Sequence, residues 1–359
     1  MDRITPYANS MVLQNLIQQM QSQQAQLTTE ISSGAKANPA GSMGTAAALL
    51  YQLHLQNDQQ TALQTTMTTA SERLDTMQTA MTSIASVAQS ASNAALNVNT
   101  GTSQGMTIMA ATARSDMSQI MSLLNTQYDG HAIFAGSDSA GTPMKATDAS
   151  GGALDAINNA LNSATGNGST TIASSNVSTL LSKISDIFND NYSGASSGNN
   201  FTSAFYTSSD TTNAGPQTEV LIGSQETLKY NVKGDNPAFK DLLHGLSMLS
   251  LLDAPSSQID DTAKSQILTQ AQMLINQGQA ELTTVQGVLG TKQSQLQRAQ
   301  DIQKSASDAT LKQITNYEQA DTYTDAQKLT SLSTQLQATY EITASLAKLS
   351  LSNYISGVI

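Results

Sequence analysis

Apolar side chains recur at alternating spacings of three and four residues in two long stretches, at about residues 7–127 and 261–354. This spacing places them along one face of an α-helix and is typical of helices that pack lengthwise against other helices. Between about residues 137 and 253, Gly, Ser, Thr and Asn predominate and the spacing becomes irregular. The pattern therefore predicts two long helical regions that flank a segment of different structure.

The clearest helix in this pattern extends from about Gly44 to Asn99. Its predicted apolar face includes Leu49, Leu53, Gln56, Gln60, Leu63, Met67, Leu74, Met77, Met81 and Ile84. At a rise of about 1.5 Å per residue, such a helix is roughly 80 Å long, which is longer than a compact domain requires. We therefore expect it to bury its apolar face against other long helices.

Four further helices are predicted from the same spacing. They cover Leu13–Ile31, Met106–Leu124, Leu268–Ala299 and a final stretch from about Thr324 to Leu351.

Glycine and proline mark the breaks between these helices. Gly34 can take the left-handed conformation that ends a helix, and Asn38-Pro39 then prevents the helix from continuing. We interpret Tyr128-Asp129-Gly130 as the end of the third helix.

The middle of the chain carries the signals of short strands and short helices. Residues 220–222 and 227–232 flank a turn and predict a β-hairpin. Short helices are predicted at 153–162, 176–189 and 237–252. We expect a smaller α+β or β-rich domain at this place.

These predictions together define a mainly α fold. Helices from both chain ends form a long antiparallel coiled coil or helical bundle, with the smaller domain inserted in the middle. The expected divisions are an N-terminal assembly helix with its turn, the N-terminal half of the helical rod, a variable outer domain, the C-terminal half of the rod and a C-terminal assembly helix. They correspond to residues 1–40, 41–136, 137–255, 256–320 and 321–359.

The charge of the chain excludes several classes of partner. Lys and Arg number 16 against 27 Asp and Glu, which gives a net charge of −11. Nucleic acids and anionic membrane surfaces bind clusters of Lys and Arg, and the sequence has no such cluster. We therefore expect no nucleic-acid partner and no membrane partner. The absence of Cys also removes disulfides, thiol catalysis and Cys-ligated metals.

Targeting signals are likewise not found in the sequence. No stretch reaches the roughly 18 apolar residues of a membrane helix. Met1–Ile17 lacks the basic segment and the apolar core of a cleaved secretory signal. We expect a protein that is cytoplasmic or is exported by a route that needs no cleaved signal.

The few residues with catalytic potential do not form a catalytic motif. Gly194–Gly198 matches the G-x-S-x-G pattern around Ser196, but no strand precedes it, as a nucleophile elbow requires. The three histidines, His54, His131 and His244, lack the spacing of metal ligands. We expect no catalytic residue, no cofactor and no metal, and hence a protein that is not an enzyme.

Several segments resemble a known family. Glu30–Gly34, followed by Asn38-Pro39, is similar to the helix end and spoke-like turn of flagellins, although the paired Asp that usually precedes the Pro is missing. Tyr128–Gly136 is similar to the segment of hook–filament junction proteins that ends in Phe-Ala-Gly or Phe-Gly-Gly. The C-terminal segments Gln335–Tyr340 and Leu349–Ile355 are similar to their last helix. The chain therefore resembles the flagellin superfamily and, within it, the junction proteins.

This resemblance implies a structural subunit of the bacterial flagellum. Such proteins are exported by the flagellar type III route without a cleaved signal, with the help of an export chaperone. They form a ring of identical subunits, with the first hook-associated protein on the hook side and flagellin on the filament side. Flagellin itself, and another coiled-coil protein of the type III route, remain alternatives.

The assembly surface is expected on the two terminal helices. Tyr7–Ile31 and Thr324–Ile355 carry apolar faces with almost no charge, and an isolated helix of this kind is only marginally stable. We expect these ends to pair and to fold on assembly. The predicted interface residues are Leu13, Ile17, Met20, Leu27, Ile31, Leu329, Leu332, Leu336, Tyr340, Leu346, Leu349 and Tyr354.

Overall fold

The computed structural model describes residues 6–39, 41, 44, 47–98, 102–136, 141–193, 197–207, 218–223, 225–230 and 232–356. The chain divides into two compact units. The first unit comprises the residues up to 62 together with those from 304 onward, and the second comprises residues 63–303.

Long helices dominate the described part of the chain. The elements in chain order are α1 (Pro6–Ser33), α2 (Ala47–Asn97), α3 (Ser103–Leu124), β1 (Gln127–Tyr128), β2 (His131–Ala132), α4 (Ala153–Ala164), α5 (Val177–Phe188), a 3₁₀ turn (Ser197–Asn199), α6 (Phe201–Ala204), β3 (Glu219–Leu221), β4 (Thr227–Lys229), α7 (Pro237–Leu249), α8 (Asp261–Glu318) and α9 (Thr322–Ser356). The strands form two antiparallel pairs, β1 with β2 and β3 with β4. The predicted mainly α fold, with small strands in its middle region, is therefore confirmed.

The apolar face predicted for α2 holds over most of its length. Met67, Leu74, Met81 and Ile84 are completely buried in the core of the second unit. That core also contains the apolar faces predicted for α3 and α8, including Met106, Ala110, Ala113, Met117, Ile120 and Leu124 from α3, and Leu268, Ala271, Ile275, Leu282, Leu289 and Leu296 from α8.

Near its N-terminus α2 departs from the predicted face. Leu49 is 43% exposed and Gln56 is also exposed, whereas Leu50 is buried beside Leu53. The predicted face was wrong here, because a straight α-helix drifts by about 20° per heptad from an ideal seven-residue repeat. A face extrapolated over many turns therefore loses its register by a residue.

The end of α3 also differs from the prediction. The helix ends at Leu124, and Tyr128-Asp129-Gly130 instead belongs to the tight hairpin of β1 and β2. Asn125 explains the early end, because its side-chain amide exchanges two hydrogen bonds with the backbone of Met144 at 2.7 and 2.8 Å. Asp129 and Gly130 both have positive φ, which suits the turn of a two-residue hairpin.

Helix α7 packs against α8 through two glycines. A Cβ atom on Gly245 would lie 2.7 Å from Ile275 Cγ1 and 2.8 Å from the backbone oxygen of Ala271. A Cβ atom on Gly278 would lie 2.9 Å from the backbone nitrogen of Leu242. The two helix backbones therefore approach each other more closely than any side chain at these positions permits.

Helix α7 is also held at both of its ends. At its start, the side chain of Asn236 accepts a hydrogen bond from Ala238 N at 3.1 Å and so caps the helix. Just past its end, Arg114 of α3 forms a bidentate ion pair with Asp253 at 2.6 and 2.7 Å and donates to the Ser250 carbonyl. The Arg114 bonds fix the end of α7 against α3.

Two titratable side chains of α7 have shifted pKa values. Burial, reinforced by the charge of Glu281 and opposed by a hydrogen bond with Gln277, raises the pKa of Asp241 to about 6. Burial lowers the pKa of His244 to about 4, and its ring stacks on Phe188 with the centroids 4.6 Å apart. At neutral pH the imidazole is therefore uncharged, whereas Asp241 is ionised in an unfavourable environment.

The glycine contact predicts a destabilising substitution with a matched control on the same helix. Gly278→Ala should lower the free energy of unfolding by about 1–3 kcal/mol, because the new methyl group overlaps the α7 backbone. At Gly287 and Gly290 an added Cβ meets nothing within 4 Å, so alanine there should stabilise α8 by up to about 1 kcal/mol. Equal effects at Gly278 and Gly287 in chemical denaturation would contradict the close contact.

The pKa of Asp241 predicts a pH-dependent stability. Because its folded-state pKa lies above the unfolded value of 3.8, its favourable contribution is complete below that pH and is lost as the pH rises through about 6. Asp241→Asn should therefore raise the free energy of unfolding by about 1 kcal/mol at neutral pH, a value reduced by the partial exposure of the carboxyl.

The comparison between Asp241→Asn and wild type should be repeated near pH 4. There the gain should disappear, since both side chains are then neutral. Asp301→Asn, at an exposed position of α8, serves as the control because it removes a carboxylate that is not buried. An equal gain in the free energy of unfolding at both pH values would show that ionisation of Asp241 does not destabilise the fold.

Candidate assembly interface

Helices α1 and α9 pair within the first unit through a thin apolar contact. Met20 of α1 and Leu332 and Leu336 of α9 are buried together, with Ile17 and Leu27 packed beside them. The Nε2 group of Gln21 on α1 donates a hydrogen bond to the hydroxyl of Tyr340 on α9 at 2.9 Å. For helices of 28 and 35 residues, three buried apolar side chains among those that the structure describes are a small core, so the pair is marginal by itself.

A second contact of the first unit joins α2 to α8. Leu50 and Leu53 of α2 are buried against Ile314 of α8, and Tyr317 packs beside them. The ring of His54 and the carboxylate of Glu318 lie 2.8 Å apart along the same contact.

The turn that follows α1 is bonded to the break between α8 and α9. Gly34 ends α1 with a φ of 70°, and its carbonyl accepts a hydrogen bond from Ala320 N at 2.9 Å. Lys36 N donates to the Glu318 carbonyl at 2.8 Å, and Ala35 forms an antiparallel bridge with Gln319. We refer to this paired segment, residues 34–36 with 318–320, as the spoke bridge. The predicted break at Gly34 therefore also organises the start of α9.

Side chains of the N-terminal segment reinforce the spoke bridge. The buried carboxylate of Glu30 accepts hydrogen bonds from Ala37 N at 3.0 Å and from the Gln26 side chain at 3.2 Å. The ammonium group of Lys36 donates to the Tyr317 carbonyl at 2.9 Å.

Asp321 then caps α9, since it accepts hydrogen bonds from the backbone and the hydroxyl of Thr324. Those bonds lower the pKa of Asp321.

Large apolar side chains remain exposed on the helices of the first unit. On α1 and α9 they are Met11, Val12, Leu16, Tyr323, Tyr340, Ile342 and Leu346, and on α2 they are Leu49, Tyr51 and Leu55. Tyr51 is 75% exposed and Val12 is 65% exposed. Exposed side chains of this kind are candidates for contact with other chains.

The predicted interface residues have different positions in the structure. Met20, Leu332 and Leu336 are buried between α1 and α9, whereas Tyr340 and Leu346 are exposed. The half-buried members are Leu13, Ile17, Leu27, Ile31 and Leu329. Leu349 and Tyr354 lie on α9, but their side chains fall outside the described residues. Their common role in assembly stays a prediction.

Sequence reasoning omitted several exposed apolar residues from this set. Val12 and Leu16 lie off the heptad face of α1, so a search for buried positions passes over them. The sequence feature that could have revealed them is the near absence of charge, because Glu30 is the only charged residue of α1. A helix without charges around its circumference has no solvated face to distinguish from a buried one.

The residues with catalytic potential do not converge on a site. His54 meets Glu318, and His244 is packed in the core of the second unit. Ser196 lies outside the described residues. Among the residues that the structure describes, no three His, Asp or Glu side chains are grouped to hold a metal ion. No helix in these ranges is both long enough and apolar enough to span a bilayer.

Paired terminal helices with exposed apolar side chains define a helical protein built for assembly with other chains. Residues 4–139 match the family model of the bacterial flagellin N-terminal helical region, and residues 272–355 match that of the bacterial flagellin C-terminal helical region. The two matches together cover more than half of the chain, which belongs to the flagellin superfamily. This family is structural and not enzymatic.

One solved structure similar to the chain comes from Vibrio parahaemolyticus and is provisionally described as a flagellar hook-associated protein. The identity is 13% and the TM-score 0.42, over 74% of this chain and 97% of the other. None of the curated proteins matches the chain.

The small contact between α1 and α9 predicts weak protection of the terminal helices in the monomer. Amide hydrogens of α1 should exchange at least about tenfold faster than those of α7, because few apolar side chains must separate to open the pair. Hydrogen exchange followed by mass spectrometry measures both helices in one sample. Similar protection of α1 and α7 would mean that the pair is stable without further partners.

Proposed function

We propose that this chain is a structural subunit of the bacterial flagellum that forms the junction ring between hook and filament, on which flagellin assembles. The exposed apolar surface of α1 and α9 is the observation that carries the proposal, because it needs other chains to cover it. The choice of the junction over other flagellar positions is supported by the resemblance of Tyr128–Gly136 and of the C-terminal helix to junction proteins.

In this proposal the terminal helices of neighbouring copies pack against one another. The spoke bridge holds the start of α9 beside the end of α1, and both helices carry exposed apolar side chains that neighbouring copies would cover. Copies would close into a ring, with the first hook-associated protein on one side and flagellin on the other. Each additional copy covers apolar area that the monomer leaves in water, and this burial drives assembly.

The same proposal assigns roles to the remaining parts of the chain. Residues 1–40 and 321–359 form the assembly helices, residues 41–136 and 256–320 the helical rod, and residues 137–255 a variable domain that faces outward. The chain would reach the flagellum by type III export, with an export chaperone and without a cleaved signal. No cofactor is involved.

Flagellin itself is the second candidate. Both matching family models are those of bacterial flagellin, which favours a filament subunit. The two roles differ in self-assembly, because a filament subunit polymerises without limit whereas a junction subunit stops at a short ring. Electron microscopy of the purified protein after seeding separates them: long filaments formed by this chain alone would support flagellin.

The junction role predicts a specific defect in cells that lack the gene. Electron microscopy should show hooks without filaments, and flagellin should accumulate in the medium because it has no ring on which to assemble. A variant that lacks residues 343–355 should fold and be exported but should fail to restore filaments, since it loses the C-terminal part of α9. Normal filaments in the deletion strain would reject the junction role.

A matched pair of substitutions on α9 tests whether apolar contact is the cause. Leu346→Ser removes an exposed apolar side chain and should reduce the number of filaments per cell. Lys348→Ser changes an exposed polar side chain two residues away and should not. Equal effects would point to a general disturbance of the helix instead of an apolar interface.

A further inference from the structure

The second unit contains a cavity that the proposed function does not use. It has a volume of about 300 Å³ and lies between α2, the β1–β2 hairpin and the β3–β4 hairpin. Its lining comprises Thr65, Thr66, Thr69, Ala70, Arg73, Tyr128, Asp129, His131, Glu219, Val220 and Tyr230. A cavity of this size, with charged and hydroxyl groups from separate elements, has the dimensions of a small-molecule site.

Arg73 is the unusual member of this lining. Its side chain is 4% exposed, and its Nε group is buried without a hydrogen-bond partner. Its Nη2 group donates a long hydrogen bond of 3.5 Å to the Ala132 carbonyl. Among the described residues, no carboxylate lies within 4.0 Å of this guanidinium.

Such a setting is unfavourable for a cation in the absence of an anion. Buried charges in proteins are paired with opposite charges or fully hydrogen-bonded, because removal from water is costly. Arg114 of the same unit meets this requirement through its bidentate pair with Asp253, whereas Arg73 does not. The planar guanidinium is well suited to a carboxylate, which can accept two parallel hydrogen bonds.

We propose that this cavity binds a small carboxylate and that the Arg73 guanidinium is its anchor. The carboxylate would supply the missing counter-charge and accept hydrogen bonds from the Arg73 guanidinium. The neighbouring wall includes Tyr230, whose side chain is only 5% exposed, and this shields the ion pair from water and strengthens it.

Two acidic residues of the lining narrow the class of ligand. Asp129 is exposed, and Glu219 has only a loose ion pair with Lys229 at 3.9 Å. A second negative charge on the ligand would be repelled here, whereas a cationic group would be attracted. An amino acid carries one carboxylate and one ammonium group, so it matches the cavity better than a dicarboxylate does.

The test is a titration of the full-length protein followed by nuclear magnetic resonance of the arginine Nε–H groups. The chain has four arginines, so the spectrum is simple, and Arg73→Lys assigns the signal of Arg73. Glycine, acetate and succinate serve as probes at constant ionic strength. We expect glycine to shift the Arg73 signal with a millimolar dissociation constant, as its small size allows, and succinate to leave that signal in place.

Two further substitutions separate anchoring from general charge effects. Glu219→Gln should weaken glycine binding by about fivefold and leave acetate binding unchanged, because only glycine carries an ammonium group. Arg298→Gln, at an exposed position of α8, should change neither. These measurements do not depend on the flagellar role, since they concern the isolated chain.

Two results would overturn the proposal, and a third would change the ligand. No shift of the Arg73 signal by any probe up to about 100 mM would overturn the proposal. Equal shifts of all four arginine signals would mean ionic screening and would overturn it as well. Equal binding of glycine and acetate would retain the carboxylate site but reject the amino acid as its ligand.

Discussion

The structure depends on one constraint: a long helix with an apolar face cannot remove that face from water by itself. In the second unit α2, α3, α7 and α8 cover one another and bury complete side chains such as Met67 and Leu74, although Ile108, Met273 and Val288 stay exposed. In the first unit the constraint is met only in part. Among the described side chains, the contact between α1 and α9 buries only Met20, Leu332 and Leu336 as an apolar cluster, and other apolar groups on the same helices stay exposed. The proposed assembly follows from this difference between the two units.

The spoke bridge gives the incomplete contact its organisation. Backbone hydrogen bonds link the two ends of the chain where α1 ends and α9 begins, although these segments are almost three hundred residues apart in sequence. The bonds do not depend on the identity of most side chains, so a variable sequence can retain them. Glu30 and Lys36 add bonds from side chain to backbone, which restrict the turn without adding apolar burial.

Sequence patterns predicted the helices well because apolar spacing reports directly on which face is buried. The buried faces of α3 and α8 could be predicted from apolar spacing alone. At the N-terminal part of α2 this failed, because the helix drifts out of register and buries Leu50 instead of Leu49. The end of α3 could not be predicted from local sequence either. It depends on the hydrogen bonds of Asn125 with Met144, a residue outside the helix. The same holds for Arg73: nothing in its sequence context indicates that it is buried without a carboxylate. The exposed residues Val12 and Leu16 were not predicted as interface residues, because apolar spacing identifies the buried contact between two paired helices and not their outer surface.

The scarcity of charge on α1 has a further consequence for recognition. Its one charged side chain, Glu30, is turned inward and accepts bonds from the chain's own backbone and amide groups. A surface made of methyl, thioether and amide groups exerts no long-range attraction, so partners are not drawn together from a distance. Encounters on such a surface are slow in dilute solution and become effective where subunits are delivered in sequence to one place. Discrimination between similar partners then depends on the fit of side-chain shapes at short range, and it should be little affected by the salinity of the surrounding water.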